Sequence, residues 1–152
     1  MAYRSTKRYG HDLGLSACFR QPKATHSHCS RLHGYALAFT FTFEADELDE
    51  RNWVADFGAF KWLKDALQYH FDHKLLVDAN DPQIDEIGQL GALGIADIIV
   101  LPGGVGCEKF AKLAFDLAVR CLERDANLAP RVRVISCECA EHGANSAIYS
   151  IE

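Results

Sequence analysis

The run over residues 34–45 limits the fold more than any other part of the sequence. From Ala36 onward, small or polar residues alternate with large apolar ones, and the last three large ones are Phe39, Phe41 and Phe43. A period of two residues is typical of a β-strand that has one face against a core. We therefore predict a half-buried strand at this place.

An earlier alternating pattern predicts a first strand, with an irregular start, within residues 3–19. The alternating residues are Leu13, Leu15, Ala17 and Phe19. Residues 20–31 contain Pro22 and a cluster of His, Ser and Thr, which is typical of a loop. The two strands are expected to form an antiparallel pair with this long connection between them.

Two amphipathic helices are predicted in the middle of the chain. The first follows Asp56, whose side chain can accept hydrogen bonds from the free N–H groups of a first turn, and it ends near Asp72-His73-Lys74. Its apolar stripe, at spacings of three and four residues, consists of Phe60, Leu63, Leu67 and Phe71. The second spans about residues 106–124. Between them we expect only a short helical turn and a brief apolar run over residues 95–101.

After Pro130 the apolar period returns to two. One face of this strand would carry Val132, Val134, Ser136 and Glu138, and the other Arg131, Arg133, Ile135 and Cys137. A carboxylate on the same face as two valines is unusual unless it is paired or functional. With a last strand over residues 147–151, the predicted order is two strands, two helices and two strands.

Composition and charge exclude several classes of protein. The formal net charge of −5 gives no basic surface for a nucleic acid, so a DNA- or RNA-binding protein is not expected. No apolar run approaches the roughly 18 residues that a membrane helix needs, and the polar residues 1–8 do not resemble a secretory signal. The six cysteines lack the short, loop-rich setting of a disulfide scaffold, so reduced thiols and a cytoplasmic location are expected. Four of them lie in apolar-periodic segments and are expected in the core.

A thiol and three imidazoles cluster just before the strand at residues 34–45. They are His26, His28, Cys29 and His33. Residues of these types at the mouth of a strand can hold a metal ion or form a nucleophile–base pair. A loop that is merely rich in histidine would carry the same residues, so both interpretations stay open at this level.

Four motifs stand in a fixed order along the chain: Cys29-x-x-Leu32-His33-Gly34, Val54-x-Asp56-Phe57, Asp72-His73-Lys74-x-Leu76, and Glu138. Together with the predicted elements they make the sequence resemble the 6-pyruvoyl-tetrahydropterin synthase family, which includes the bacterial 6-carboxy-tetrahydropterin synthases. The resemblance covers nearly the whole chain.

The resemblance implies an α+β T-fold that fills residues 1–152 as a single domain. Such a domain has the order ββααββ, with a four-stranded antiparallel sheet backed by two helices. The resemblance also implies that subunits join their sheets into a barrel, as a homo-hexamer. The substrate it implies is 7,8-dihydroneopterin triphosphate, bound where subunits meet.

The resemblance further implies a role for individual residues. Cys29 matches the catalytic cysteine of the family, and Asp72 and His73 match the pair that assists it. Glu138 matches the glutamate that anchors the pterin ring. Glu108 resembles the glutamate of the Pro-Thr-x-Glu-Asn segment in the family's pterin pocket.

This chain departs from the family at two places. In the segment around Glu108, Val105 and Gly106 replace the Pro and Thr. The family also holds zinc with three histidines, and here Phe19 and Tyr35 stand at two of those positions, so that only His33 remains.

Three outcomes are open for the metal, which we expect to be a divalent cation and which the resemblance implies is zinc. His28 and His26 could join His33 in a rebuilt site, with Cys29 or Cys18 as a further candidate ligand. The metal could instead be bound weakly or be another metal. Thirdly, the site could be lost.

We therefore predict a lyase of the 6-carboxy-5,6,7,8-tetrahydropterin synthase type, acting in deazapurine (queuosine) biosynthesis. The alternatives are a 6-pyruvoyl-tetrahydropterin synthase or dihydroneopterin aldolase activity, and a non-catalytic pterin- or purine-binding T-fold protein. Arg20, Lys23 and Arg31 are candidates for contact with the triphosphate, although solvated loop charges are equally compatible with the sequence.

Overall fold

A computed structural model describes residues 1–152 as seven β-strands and three α-helices. The strands are β1 (Tyr3–Tyr9), β2 (Leu15–Phe19), β3 (His33–Ala45), β4 (Lys74–Asp78), β5 (Ile98–Leu101), β6 (Arg133–His142) and β7 (Asn145–Ser150). The helices are α1 (Lys61–Phe71), α2 (Ile84–Ala92) and α3 (Cys107–Glu123). The class is α+β, as the sequence predicts.

The long strand β3 is the centre of the sheet. Its second half pairs antiparallel with β1 and its first half with β2, so the antiparallel pairing predicted for the start of the chain is confirmed. The predicted first strand is in fact two strands, separated by a 3-10 turn at His11–Leu13. Gly14 ends this turn at φ +74°, a conformation that favours glycine.

The predicted ββααββ order is present but incomplete. Strands β1, β3, β6 and β7 form the expected four-stranded antiparallel sheet. The sheet also continues on the other side of β3 as β2, β4 and β5, in which β4 is parallel to both neighbours. Because parallel strands need a crossover connection, the sequence between β4 and β5 forms α2. Periodicity missed β4 because all of its central residues are apolar and buried.

The core lies between the sheet and the helices α1 and α3. All four residues of the predicted α1 stripe are buried. The ring of Phe71 packs on Phe39 at a centroid distance of 4.8 Å, and that of Phe60 stacks on Phe43 at 4.6 Å. Asp56 caps the 3-10 turn that leads into α1 by accepting a hydrogen bond from Gly58 N at 2.9 Å. The aromatic strand and the amphipathic stripe thus form one core.

A β-bulge in β6 changes the faces that simple alternation predicts. Thr42 pairs with Ser136 and Phe43 with Val134, so Ile135 is an extra residue on its strand. Beyond it, Cys137 and Cys139 point into the core. The predicted grouping of Glu138 with the two valines is therefore wrong, because the bulge moves it to the face opposite the helices.

The cysteines behave as expected. Cys107, Cys121, Cys137 and Cys139 are buried, and all six cysteines are free thiols. None of the three helices combines the length and the apolar character that crossing a membrane requires.

Candidate active site

The loop that carries Cys29 is fixed by its own hydrogen bonds. Ser27 caps a 3-10 turn at His28–Ser30 because its Oγ accepts from Cys29 N at 3.1 Å. The carbonyl of Cys29 accepts from Gln21 N at 2.7 Å. The Cys29 thiol is exposed on this fixed turn, as an attacking or proton-accepting group requires.

Arg20 also holds the loop that carries Cys29. Its guanidinium donates to both carboxylate oxygens of Asp81, at 2.9 and 2.6 Å, and to Ser30 O at 3.2 Å. Asp81 is only 4% exposed, and the hydrogen bonds from Arg20 hold the pKa of its carboxyl below the usual range. Arg20 is thus engaged within the chain rather than free to meet a triphosphate. Lys23 and Arg31 are exposed and stay candidates for that role.

Gln21 joins the Cys29 loop to the start of α3, a connection that the sequence pattern did not reveal. Its Nε2 donates to Val105 O at 2.7 Å. A Cβ added to Gly106, which has φ +113°, would lie 2.5 Å from this Nε2 and 3.8 Å from a carboxylate oxygen of Glu108. Glycine at this position therefore leaves room for the Gln21 side chain, which any Cβ would displace.

The three positions to which the resemblance assigns the family's zinc histidines come together as a group of rings. Phe19 pairs with His33 across β2 and β3, and their ring centroids are 5.0 Å apart. Tyr35 lies on the same face, 5.6 Å from His33 and 6.2 Å from Phe19, and His142 lies 6.1 Å from Tyr35. We call Phe19, His33, Tyr35 and His142 the aromatic cluster. Gly34 permits this close strand pairing, since an added Cβ would lie 2.8 Å from Ala17 O.

Two polar groups of the aromatic cluster face different surroundings. Nδ1 of His33 is 2.7 Å from Arg31 O, so an Nδ1–H tautomer donates to that carbonyl and leaves Nε2 free. The hydroxyl of Tyr35 makes no hydrogen bond within the chain, unlike that of Tyr9, which donates to Phe60 O. Burial raises the pKa of Tyr35, and the nearby Glu141, Cys29 and Cys107 raise it further.

The predicted metal ligands do not form a ligand set. His26 and His28 lie exposed on the loop, and no three His, Cys, Asp or Glu side chains of the protein converge as a metal site requires. A structural or catalytic zinc needs at least three protein ligands, and the aromatic cluster supplies one free imidazole nitrogen from His33. The residues present at the family's metal position therefore do not fit a zinc ion.

Asp72 and His73 form the predicted pair at the end of α1. Nδ1 of His73 lies 2.6 Å from Asp72 Oδ1, and the His73 side chain is 85% exposed. His73 has φ +56°, which is uncommon for a residue other than glycine and is found at functional sites when the surrounding structure enforces it. An imidazole held by a carboxylate can donate and accept protons.

Glu138 lies on the open face of the sheet, with Thr40 on one side and Ile148 on the other. The arginines that could have neutralised it are engaged elsewhere, Arg133 with Glu44 and Asp46 and Arg131 with backbone carbonyls. Its carboxylate forms no ion pair in the chain, and it is therefore free to accept hydrogen bonds from a ligand.

The candidate residues of one chain are divided between two faces of the sheet. The aromatic cluster lies on the helix side, because His33 and Tyr35 share a face with the core residue Leu37. His73 borders a hollow with Ser16 and Cys18, which alternate to the other side. Glu138 shares that other side. No hydrogen bond joins Cys29 to Asp72 or His73 within one chain.

A sequence profile described as 6-pyruvoyl tetrahydropterin synthase matches residues 11–152. The chain belongs to this family. A 6-carboxy-5,6,7,8-tetrahydropterin synthase from Aquifex aeolicus is 29% identical over 143 residues, which cover 91% of this chain and 85% of that protein. The likeness to a pterin synthase therefore extends over almost the whole sequence.

Solved structures of the 6-pyruvoyl tetrahydropterin synthase family share the fold. The enzyme from Plasmodium vivax superposes with a TM-score of 0.69 at 12% identity, covering 98% of this chain and 97% of that one. The Caenorhabditis elegans enzyme superposes with a TM-score of 0.62 at 13% identity, covering 100% of this chain and 96% of that one. An uncharacterized protein from Wolinella succinogenes superposes with a TM-score of 0.79 at 19% identity, covering 100% of this chain and 99% of that one. These similarities establish the T-fold predicted from the sequence.

Proposed function

We propose that this protein is a pterin-forming lyase of the 6-carboxy-tetrahydropterin synthase type that acts on 7,8-dihydroneopterin triphosphate in deazapurine (queuosine) biosynthesis. The observation that carries the proposal is the Asp72–His73 pair, an exposed imidazole held by a carboxylate on a left-handed backbone. The likeness to the Aquifex aeolicus protein supports the choice of reaction within the family.

In this proposal each candidate residue has one task. The Cys29 thiolate accepts a proton from carbon in the substrate side chain, and His73, oriented by Asp72, returns a proton. Glu138 accepts hydrogen bonds from the amide-like N–H and amino group of the pterin, and Glu108 lines the pocket. These roles need no step through a metal ion. The predicted ligands His26, His28 and His33 do not come together, so a zinc site is not part of the proposal.

The division of the site between two faces supports assembly from more than one chain. Cys29 of one subunit would meet Asp72 and His73 of another, in a homo-hexamer of single T-fold domains. Strands β1 and β7 are free edges of the antiparallel sheet and can pair with a neighbouring copy. Free thiols throughout suit a cytoplasmic setting.

Subunit mixing tests both the reaction and the assembly. Cys29→Ala and His73→Asn should each abolish turnover of 7,8-dihydroneopterin triphosphate. If the two residues come from different chains, unfolding and refolding an equal mixture should restore activity at about a quarter of the sites. A mixture that stays inactive, beside wild type refolded in the same way and active, would contradict the shared site.

A non-catalytic pterin- or purine-binding protein is the second candidate, because the aromatic cluster replaces the family's ligand set. If this second candidate is right, the wild-type protein binds the pterin but forms no product. A 6-pyruvoyl synthase or aldolase activity is separated by the product itself, identified by mass spectrometry.

A further inference from the structure

The aromatic cluster lies where β2 and β3 pair, at the positions to which the resemblance assigns the family's metal ligands. Phe19 stands directly opposite His33, and Tyr35 follows two residues later on the same face. The three rings lie within 5.0 to 6.2 Å of one another. The strand pairing thus brings these three positions together on one face of the sheet, and among them only His33 offers a ligand that zinc prefers.

No neighbouring group replaces the two lost ligands. His142 is the closest imidazole, and its Nδ1 already accepts from Ala144 N at 3.2 Å, while Asn145 Nδ2 lies 3.3 Å from its Nε2. The buried thiols Cys107 and Cys139 pack on each other with their sulfur atoms 3.9 Å apart. The contact with Cys107, together with burial, raises the pKa of Cys139, which opposes the thiolate form that binds a metal.

The Tyr35 hydroxyl is the unused polar group of the cluster. Its ring is half-buried and in contact with the rings of Phe19, His33 and His142, so its position is fixed. Its hydroxyl has no hydrogen-bond partner in the chain, unlike that of Tyr9. A donor that is fixed in position and has no partner is suited to an oxygen of a bound ligand.

We propose that this chain has exchanged the family's metal for a metal-free aromatic cluster in which the Tyr35 hydroxyl donates a hydrogen bond to a side-chain oxygen of the substrate. The substrate part of this inference rests on the proposed function, whereas the absence of a metal does not. A neutral donor stabilises developing negative charge less than a divalent cation does, so a slow enzyme is expected.

Restoring the ligands tests the cluster directly. The Phe19→His/Tyr35→His double variant would set three imidazoles around the family's metal position. After loading with zinc and removal of the excess, we expect about one zinc per chain in this variant and at least tenfold less in wild type. The matched control is Phe19→Leu/Tyr35→Phe, which changes both positions without adding a ligand and should stay as poor in zinc as wild type.

Two results would overturn the metal-free cluster. One is wild type that holds about one zinc per chain and loses it in His33→Ala. The other is a double variant that is folded, as judged by circular dichroism, and does not bind zinc. If the double variant does not fold, the zinc content of wild type and of His33→Ala still shows whether the aromatic cluster is metal-free.

Tyr35→Phe tests the hydroxyl, because it keeps the ring contacts and removes only the donor. Its affinity for 7,8-dihydroneopterin triphosphate should fall about 3- to 10-fold, the usual range for one neutral hydrogen bond, with zinc content unchanged. Unchanged affinity and turnover would remove Tyr35 from the site. If the proposed function is wrong, wild type neither binds nor converts this pterin, and the zinc comparison still decides whether the cluster is metal-free.

Discussion

The Arg20 guanidinium donates two hydrogen bonds to the buried carboxylate of Asp81 and a third to the carbonyl of Ser30. One side chain thereby joins the end of β2, the turn before α2 and the loop that carries Cys29. The support of the candidate base is thus an ion pair far from it in sequence. Because Asp81 is only 4% exposed, removal of one partner would leave the other charge unpaired in a mostly buried place.

Asp81→Asn should lower the free energy of unfolding by about 3 kcal/mol, because it leaves the Arg20 charge without its partner in a mostly buried place. The folded-state pKa of Asp81 lies below its unfolded value, so this contribution is fully present above the unfolded pKa. The difference from wild type should be constant between pH 7 and about 5, and shrink as the pH falls below about 4. Urea unfolding across this pH range measures it.

The matched control is Asp65→Asn, which removes an exposed ion pair with Lys61 one helical turn away. It should change stability by less than about 0.5 kcal/mol at every pH. Equal losses in the two variants would show that burial does not distinguish these ion pairs.

Glu138→Gln should weaken pterin binding about 10- to 100-fold. The carboxylate can accept two charge-assisted hydrogen bonds, whereas the neutral amide can accept at its oxygen only and presents a donor at its nitrogen. Stability should stay within about 0.5 kcal/mol of wild type, because the carboxylate has no partner within the chain. Isothermal titration with the pterin and thermal unfolding give the two quantities. Glu123→Gln, an exposed change at the end of α3, is the control for the loss of one charge.

His73→Asn should abolish turnover and leave the fold intact. Asparagine tolerates the left-handed backbone that His73 adopts, but it cannot carry a proton at neutral pH. His73→Val removes the imidazole too, and its branched side chain opposes φ +56°, so it should also destabilise the protein by about 1 kcal/mol or more. Equal stability of the two variants would show that this backbone conformation carries no strain.

Leu67→Ala should cost about 3 kcal/mol of unfolding free energy, because Leu67 is fully buried between α1 and the rest of the core and truncation leaves a cavity. Leu93→Ala, at a residue that is 72% exposed, should cost less than about 0.5 kcal/mol. Chemical unfolding of both variants tests whether the aromatic strand and the α1 stripe form the core of the protein in solution.

Periodicity predicted the elements whose two sides face different surroundings. The phenylalanines of β3 alternate with threonines, and the stripe of α1 repeats at helical spacing, so both are visible in the sequence. The strand β4 has no such contrast, because both its faces are covered, and its parallel pairing is a long-range property.

For a related reason, the sequence identified some of the candidate site residues and missed others. Motifs identified Cys29, Asp72 and His73 because each stands in a recognisable local sequence. The roles of Arg20 and Gln21 depend on partners more than sixty residues away, Asp81 and Val105, which no local pattern contains.

The extra residue in β6 has a consequence for comparisons between relatives. An alignment of this strand with a relative that lacks the extra residue, made without a gap at Ile135, shifts the residues on one side of it by one place. It therefore pairs Glu138 with a residue that faces the core. Homologues of this protein should therefore be sorted by whether they possess the insertion before their glutamates are compared. Deletion of Ile135 would shift the alternation of β6 by one residue, so that the charged side chain of Glu138 would point into the core.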